Sequence, residues 1–462
     1  MKTIILIHPP FCTPASPPYS LSHIYTALKE SCANEYKIKA LDLNLELNKK
    51  SQPEFSKYSK KFLDTYEQEE YESKAKTFIE KMKQDCAESN KNVIKGSKPL
   101  LFNEMLETVM KHKPDIAAFS LVYSSQTLYA YMLISELKKL GVQTIVGGPA
   151  TSFVLAKTAD KFFPNHEALS QFLNQKKKSE ASEKYYSPNF KIWDEREYFT
   201  PEMVTPVKTS TTCYYKRCTF CTHYSNEPYQ EYPLEKIHET IKEIPKGRAV
   251  FIVDDMISKN RLLDIASIFK KRNLTWACQL RPTKEYDPNT LKQLSCSGLK
   301  IIIWGIESGS DRILELMNKG TNTKDMKQVL SDSHKAGIKN ACFTLFGFPT
   351  ETKEEFLKTL SFLKDNSQNI DLLLTSVFGL QKNTPIYNDP EKYGIKNITH
   401  HERHFLDERV EYEPETGLSK AQAKKLRYRY KHILEAINKY PKSMNFFREH
   451  MLCLIKKENH NL

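Results

Sequence analysis

Three cysteines, Cys213, Cys218 and Cys221, fall within nine residues of the stretch TTCYYKRCTFCTHYSN (Thr211 to Asn226), directly after a β-branched, strand-like run. Thiolates this close repel one another unless a cation holds them, and soft sulfur ligands select zinc, copper(I) or iron–sulfur clusters over hard cations. A structural zinc site needs four closed ligands, and no second CxxC in the chain supplies one. A four-iron cluster held by three cysteines would keep one iron open to a substrate or cofactor. A zinc knuckle is the competing reading of the motif taken alone.

The rest of the chain sets the frame. Its 462 residues allow two or three domains with cores of their own. No apolar run reaches the length of a membrane span, and MKTIILIHPPF has too short an apolar stretch and no small-residue cleavage site for a signal peptide. A cytoplasmic protein is expected. Seven of the ten cysteines are scattered at no framework spacing, which suits a reducing compartment. The net charge of +13 invites a nucleic-acid reading, but lysine is spread through the whole chain, and the densest run, KKKSEASEK (Lys176 to Lys184), reads as a solvated linker. No nucleic-acid partner is expected.

The first 174 residues alternate strand and helix patterns: strands at Lys2 to Ile7, Tyr36 to Leu41, Asp115 to Ser120 and Gln143 to Val146, with helices at Leu21 to Glu30 and Thr127 to Lys139. That order predicts a doubly wound parallel sheet whose ligand site lies at the carboxyl ends of the strands. A Lys/Glu-rich stretch at about 53–110 reads as a helical insertion, and 175–203 as a linker. From 204 to 390 the alternation resumes, with the strand before the cysteines followed by Ala249 to Val253, Thr275 to Leu280, Lys300 to Trp304, Asn340 to Phe346 and Asp371 to Phe378. Six strands are too few for a closed eightfold barrel. Residues 391–462 read as a helical region opened by a capping box at Ser419 and Gln422.

Chemistry-bearing groups gather where these strands end: Asp254 and Asp255, Arg281, Glu307 and Ser308, and the turn Phe346, Gly347, Phe348. With Phe220 just before the last cysteine, and with GIESGSDRILELMNKG (Gly305 to Gly320) and FGFPTETKEEFLKT (Phe346 to Thr359), the chain resembles the radical S-adenosylmethionine (SAM) enzymes. The family's usual gap between the first two cysteines is three residues, and here it is four. IHPPF (Ile7 to Phe11), PPYSLSHIYTAL (Pro17 to Leu28), FSLVYSSQ (Phe119 to Gln126) and IVGGP (Ile145 to Pro149) resemble the cobalamin-binding-like domain preceding the radical core in many members. The resemblance implies an α/β fold, a flavodoxin-like sheet followed by a partial six-stranded barrel and C-terminal helices. It also implies a [4Fe-4S] cluster on Cys213, Cys218 and Cys221 with SAM on its open iron, Glu307 and Ser308 at the ribose or amino-acid end, Asp254 or Asp255 at the amino group, Arg281 at the carboxylate, and adenine near Phe220 and the Phe346–Gly347 turn. Cobalamin in the first domain would suggest a C-methyltransferase acting on a small molecule or peptide, with a flavodoxin- or ferredoxin-type electron donor. No Asp-x-His-x-x-Gly triplet and no GEGE-like turn are present, so an emptied domain with another radical chemistry is the alternative, and a non-catalytic metal-binding protein a further one. His223 beside the cysteines, Tyr214, Tyr215 and Tyr224, and the HHERH run at His400, His401 and His404 are further candidates; the last reads as a solvated turn more readily than as a metal site.

Overall fold

The computed structural model describes residues 1–174, 185–222, 228–403 and 405–460. The chain divides into two compact units, Met1–Thr205 with Glu402–Glu408, and Pro206–His401 with Arg409–Leu462.

The first unit is built on a parallel sheet of β1 (Lys2–His8), β2 (Tyr36–Asp42), β3 (Ile116–Ser120), β4 (Gln143–Gly147) and β5 (Lys161–Phe162), in the order β2-β1-β3-β4-β5. The unbroken apolar run of β1 follows from its central place, since both faces are covered. Ile5 and Ile7 pack with Ala117, Phe119, Leu133 and Val146 on one side. Ile4 and Leu6 pack with Leu21, Leu28, Ile38 and Ile145 on the other. The strand order turns back between β1 and β3, the place where sheets of this order open a crevice for a ligand. The Lys/Glu-rich stretch is helical, at Pro53–Lys61, Gln68–Ile94 and Phe102–Met110.

The second unit, which begins within β6 (Val204–Val207), continues its sheet with β7 (Ala249–Ile252), β8 (Thr275–Leu280), β9 (Leu299–Glu307), β10 (Lys339–Phe346) and β11 (Leu372–Val377), ordered β11-β10-β9-β8-β7-β6. Sequential neighbours pair in parallel through helices long enough for the crossover, such as Lys259–Lys271 and Thr323–Lys335. Strand carboxyl ends therefore share one rim, at which the cysteine loop leaves β6. An antiparallel hairpin of β12 (Ile395–His401) and β13 (Arg409–Pro414), which the sequence reading did not anticipate, precedes the terminal helices Lys420–Arg429, Lys431–Ala436 and Arg448–His460. The Ser419–Gln422 capping box forms as expected.

Candidate active site

The cysteine loop is anchored at both its root and its middle. Asp254, buried at the end of β7, accepts from the backbone N–H of Thr209 at 2.8 Å and from the hydroxyls of Thr209 and Ser210, fixing the chain just before the first cysteine. Burial pushes its carboxyl upward, and these donors oppose that shift. Further along, Thr219 donates its N–H to the carbonyl of Met317 at 3.0 Å and its hydroxyl to that of Leu316 at 2.9 Å. The Tyr215 hydroxyl donates to the Asn318 carbonyl at 2.8 Å. Three donors from two loop residues, Thr219 and Tyr215, thus satisfy carbonyls left open where the short helix Asp311–Leu316 ends.

Beside the sulfurs sits a buried ion pair. Lys319 Nζ lies 2.8 Å from Glu307 Oε1, with the lysine side chain 6% and the glutamate 13% exposed. Glu307 reaches this position because β9 is bulged against β10 at this level, where Gly305 pairs with Phe343 but Glu307 with Thr344, and because Glu307 itself takes φ +62°. Bulges at sheet rims re-aim side chains in this way. A Cβ at Gly305 would come within 2.6 Å of Lys319 Nζ and 2.9 Å of Glu307 Oε1, so the pair depends on the missing side chain. Burial pushes the Cys218 thiol up, and Lys319 pulls it back against the opposing influence of Glu307 and Cys213. Lys319 also feels Cys221, and its ammonium stands 5.9 Å from the Phe220 ring centre. The lysine therefore lies among the cysteines with its charge retained.

Arg281 completes the rim. Its guanidinium stacks over the Tyr215 ring at 3.7 Å, donates to the Lys319 carbonyl at 3.2 Å and to the Tyr214 hydroxyl at 3.3 Å. Its buried Nε has no hydrogen-bond partner among the described residues.

Cys213, Cys218, Phe220, Cys221, Arg281 and Glu307 are thus brought into one neighbourhood. Other expected residues are used differently. Asp254 holds the loop's root rather than facing the sulfurs. Asp255 accepts from Gln279 Nε2 through its backbone carbonyl at 3.3 Å. Ser308 is fully buried against Thr359, 3.2 Å away, and Phe346 packs at a tilt, ring centres 4.4 Å apart, on Phe356 of the same helix, Lys353–Asp365. Gly347 has its N–H on Glu351 and its carbonyl on the Tyr412 hydroxyl, while the neighbouring Phe348 meets Phe220 edge to face at 6.4 Å. Tyr214 and Tyr215 pack the loop. His400 and His401 lie at the end of β12, where His401 faces Glu411 at 3.3 Å. His223, Tyr224 and His404 lie outside the described residues.

Among the described residues no three His, Cys, Asp or Glu side chains converge on a single ion. One tetrahedral zinc would need sulfurs about 4 Å apart, from Zn–S bonds of about 2.3 Å. In the first unit, the carboxyl ends of β1 and β3 present a different chemistry. His8 Nε2 lies 3.3 Å from Cys12 Sγ and 3.2 Å from Gln126 Nε2, its Nδ1 is buried without a partner among the described residues, and burial lowers its pKa to about 4. Gly148, at φ +102°, brings the end of β4 so near Leu121 that a Cβ would stand 2.3 Å from its carbonyl oxygen.

A five-stranded parallel α/β unit followed by a six-stranded parallel unit with three cysteines after its first strand defines the class to which this chain is compared. Residues 207–363 match the Radical SAM superfamily, and the second unit therefore contains a radical SAM domain. An uncharacterised methyltransferase of Pyrococcus horikoshii is 28% identical over 34% of this chain and 36% of its own length. The bacteriochlorophyllide d C-8(2)-methyltransferase of Chlorobaculum tepidum is 22% identical over 62% of this chain and 71% of its own. The radical SAM methyltransferase TsrM of Kitasatospora setae, solved with cobalamin and a [4Fe-4S] cluster, superposes with a TM-score of 0.63 at 12% identity, covering 95% of this chain and 89% of that one. The chain spans only about a third of the Pyrococcus relative. Its fold is that of the radical SAM enzymes with an N-terminal cobalamin-binding-like domain.

Proposed function

We propose that the protein is a radical SAM enzyme in which Cys213, Cys218 and Cys221 hold a [4Fe-4S] cluster and the first unit holds cobalamin, so that the reaction is transfer of a methyl group to carbon. The observation that carries the reading is the set of three thiols at the rim of the six-stranded sheet, with Lys319, Glu307 and Arg281 arrayed beside them. When bound, the cluster supplies an electron for cleaving the carbon–sulfur bond of SAM, and cobalamin supplies a transferable methyl group.

This chain's residues bind, orient and shield. Lys319 and Arg281 place two cations beside the sulfurs, where they offset the negative charge of a thiolate-ligated cluster. The unpartnered Nε of Arg281 is a donor for a carboxylate. Glu307 offers an acceptor to an ammonium or a ribose hydroxyl. Phe220 and Phe348 supply an apolar edge that excludes water from the reacting carbon. The neutral, buried His8 and the close approach at Gly148 give the first unit a cradle for a large organic body, with no histidine marked to ligate cobalt from below.

The electron would come from a flavodoxin- or ferredoxin-type donor, and the substrate would be a small molecule or peptide. None of the ten cysteines forms a disulfide, which suits a reducing compartment such as the cytoplasm. No helix among the described residues is long and apolar enough to cross a membrane. Anaerobic reconstitution tests the reading. A broad band at the blue edge of the visible and reductive formation of 5′-deoxyadenosine from SAM are expected, together with hydroxocobalamin retained through desalting. One equivalent of zinc with no SAM cleavage would exclude the enzyme; cleavage without retained corrin would leave a radical enzyme with an empty first unit.

A further inference from the structure

A cavity of about 640 Å³ lies along β11, the outer strand of the second unit's sheet, between that strand and the terminal helices. A volume of this size accepts a drug-sized ligand. The cavity runs along β11 from Leu373 to Ser376, and on β10 its wall is Phe343, three residues before the strand's end at Phe346, roughly 10 Å of strand.

Its lining combines two chemistries. Phe343, Leu373, Leu374 and Leu434 make an apolar surface, and four cations, Arg427, Lys431, Lys442 and Arg448, stand against a single carboxylate, Glu435. That carboxylate lies 2.6 Å from Lys442 and 3.8 Å from Lys431, while the Arg448 guanidinium stands 5.6 Å over the Phe343 ring centre and its Nε donates to the Asn445 carbonyl at 3.3 Å. Asn445 also lines the cavity, and its amide oxygen has no hydrogen-bond partner among the described residues.

The edge strand itself is already capped. Arg427 donates to the Thr375 carbonyl at 2.8 Å, and the Leu373 N–H donates to Asn438 Oδ1 at 2.7 Å. Side chains occupying these edge positions oppose the addition of a peptide strand, which leaves a compact ligand as the occupant. We propose that the cavity binds a molecule with an apolar body and an anionic head, a carboxylate or a phosphate, seated with its body on Leu374 and Leu434 and its head toward Lys431 and Arg448.

Calorimetric titration of the full-length protein tests this with octanoate, octyl phosphate, inorganic phosphate and octanol. Either eight-carbon anion should bind roughly tenfold or more tightly than octanol, and the tighter of the two names the head group. Inorganic phosphate alone should bind more weakly than octyl phosphate. The double variant Lys431→Gln, Arg448→Gln should lose roughly tenfold or more in anion affinity while leaving that for octanol unchanged, and Glu435→Gln should tighten anion binding. A thermal midpoint held by both variants shows that they fold. Equal affinity for octanol and the anions, anion affinity unchanged in the double variant, or no binding at millimolar ligand would each overturn the assignment. The titration needs neither iron nor SAM, so its failure would leave the radical SAM reading standing.

Discussion

Both units end their parallel strands in a rim of buried polar side chains, and the two rims handle charge in opposite ways. In the six-stranded sheet, burial acts against the charge on Lys319, but Glu307 at 2.8 Å and the nearby thiols together outweigh it and hold its pKa up, and Arg281 adds a second cation near the cysteines. In the five-stranded sheet, burial lowers His8 to about 4 and raises Asp42 to about 7, and it raises the Cys12 thiol as well, so each is biased to its uncharged form. The difference teaches what each rim can hold. Paired charges beside thiols suit an ionic cluster and a sulfonium amino acid. Uncharged groups around a crevice suit a large organic ligand held by contact and hydrogen bonds.

The largest effect should come from removing the thiols. A Cys213→Ala, Cys218→Ala, Cys221→Ala variant should fall from about four irons per chain to almost none and form no 5′-deoxyadenosine, while keeping any corrin bound by the first unit. Loss of corrin together with iron would break the separation of the two rims.

Lys319 comes next. Replacing one member of a buried pair strands the other's charge, at a cost of about 3–5 kcal/mol. Lys319→Met should therefore destabilise the second unit by that order in denaturant unfolding. The double change Lys319→Met, Glu307→Gln should recover most of the loss, because no charge is then left unpaired. An equal loss in both variants would show that packing, not charge, holds this rim.

The uncharged rim is tested by pH. His8 has a folded pKa of about 4, below the ordinary 6.5 of a histidine, so its contribution is present above 6.5 and is lost as pH falls toward 4. Asp42 has a folded pKa of about 7, above 3.8, so its contribution is present below 3.8 and is lost as pH rises through 7. Across pH 4 to 6.5 the two slopes oppose each other, and the first unit's stability should be nearly flat. Asp42→Asn, which keeps an oxygen to accept from the Leu45 N–H, removes one slope. Stability should then climb with pH across the window, by up to about 1.4 kcal/mol per pH unit. His8→Gln should give the mirror image. A flat profile in either variant would refute the neutral rim.

These effects also mark where sequence reasoning reached. Both sheets were legible, since KTIILI and KIIIWGI are continuous apolar runs that only a strand covered on both faces requires. The cysteine loop was legible because three thiols at such spacing have few uses. Lys319 was not, although it stands in the quoted GIESGSDRILELMNKG segment: a lysine after a helix reads as solvated until the bulge at Glu307 turns a carboxylate toward it. The work of Asp254 was hidden for a similar reason. Beside Asp255 it reads as a cap for the following helix, which Ser258 in fact caps, and its true partners, Thr209 and Ser210, lie more than forty residues earlier. Ser308 and Phe346 stand at strand ends as expected, but alternation turns them toward the helix Lys353–Asp365, and no rim motif announces which way a terminal residue faces.

The smallest expected effects separate the rims once more, through a glycine in each. At Gly148 an added Cβ meets the Leu121 carbonyl at 2.3 Å, and the backbone sits at φ +102°, where an L residue is strained. Neither backbone can swing aside, so Gly148→Ala should destabilise the first unit by about 2–3 kcal/mol. At Gly305 the atoms in the way are the far ends of Lys319 and Glu307, which can rotate, and φ is not positive. Gly305→Ala should therefore cost about 1 kcal/mol or less in stability. Its consequence should appear in chemistry instead, as reductive SAM cleavage slowed several-fold with the iron content unchanged, because the displaced pair no longer faces the sulfurs. If Gly305→Ala destabilised its unit as much as Gly148→Ala does, the ion pair would be a rigid part of the core rather than a movable part of the rim, and the contrast between a rim that positions charge and one that positions backbone would fail.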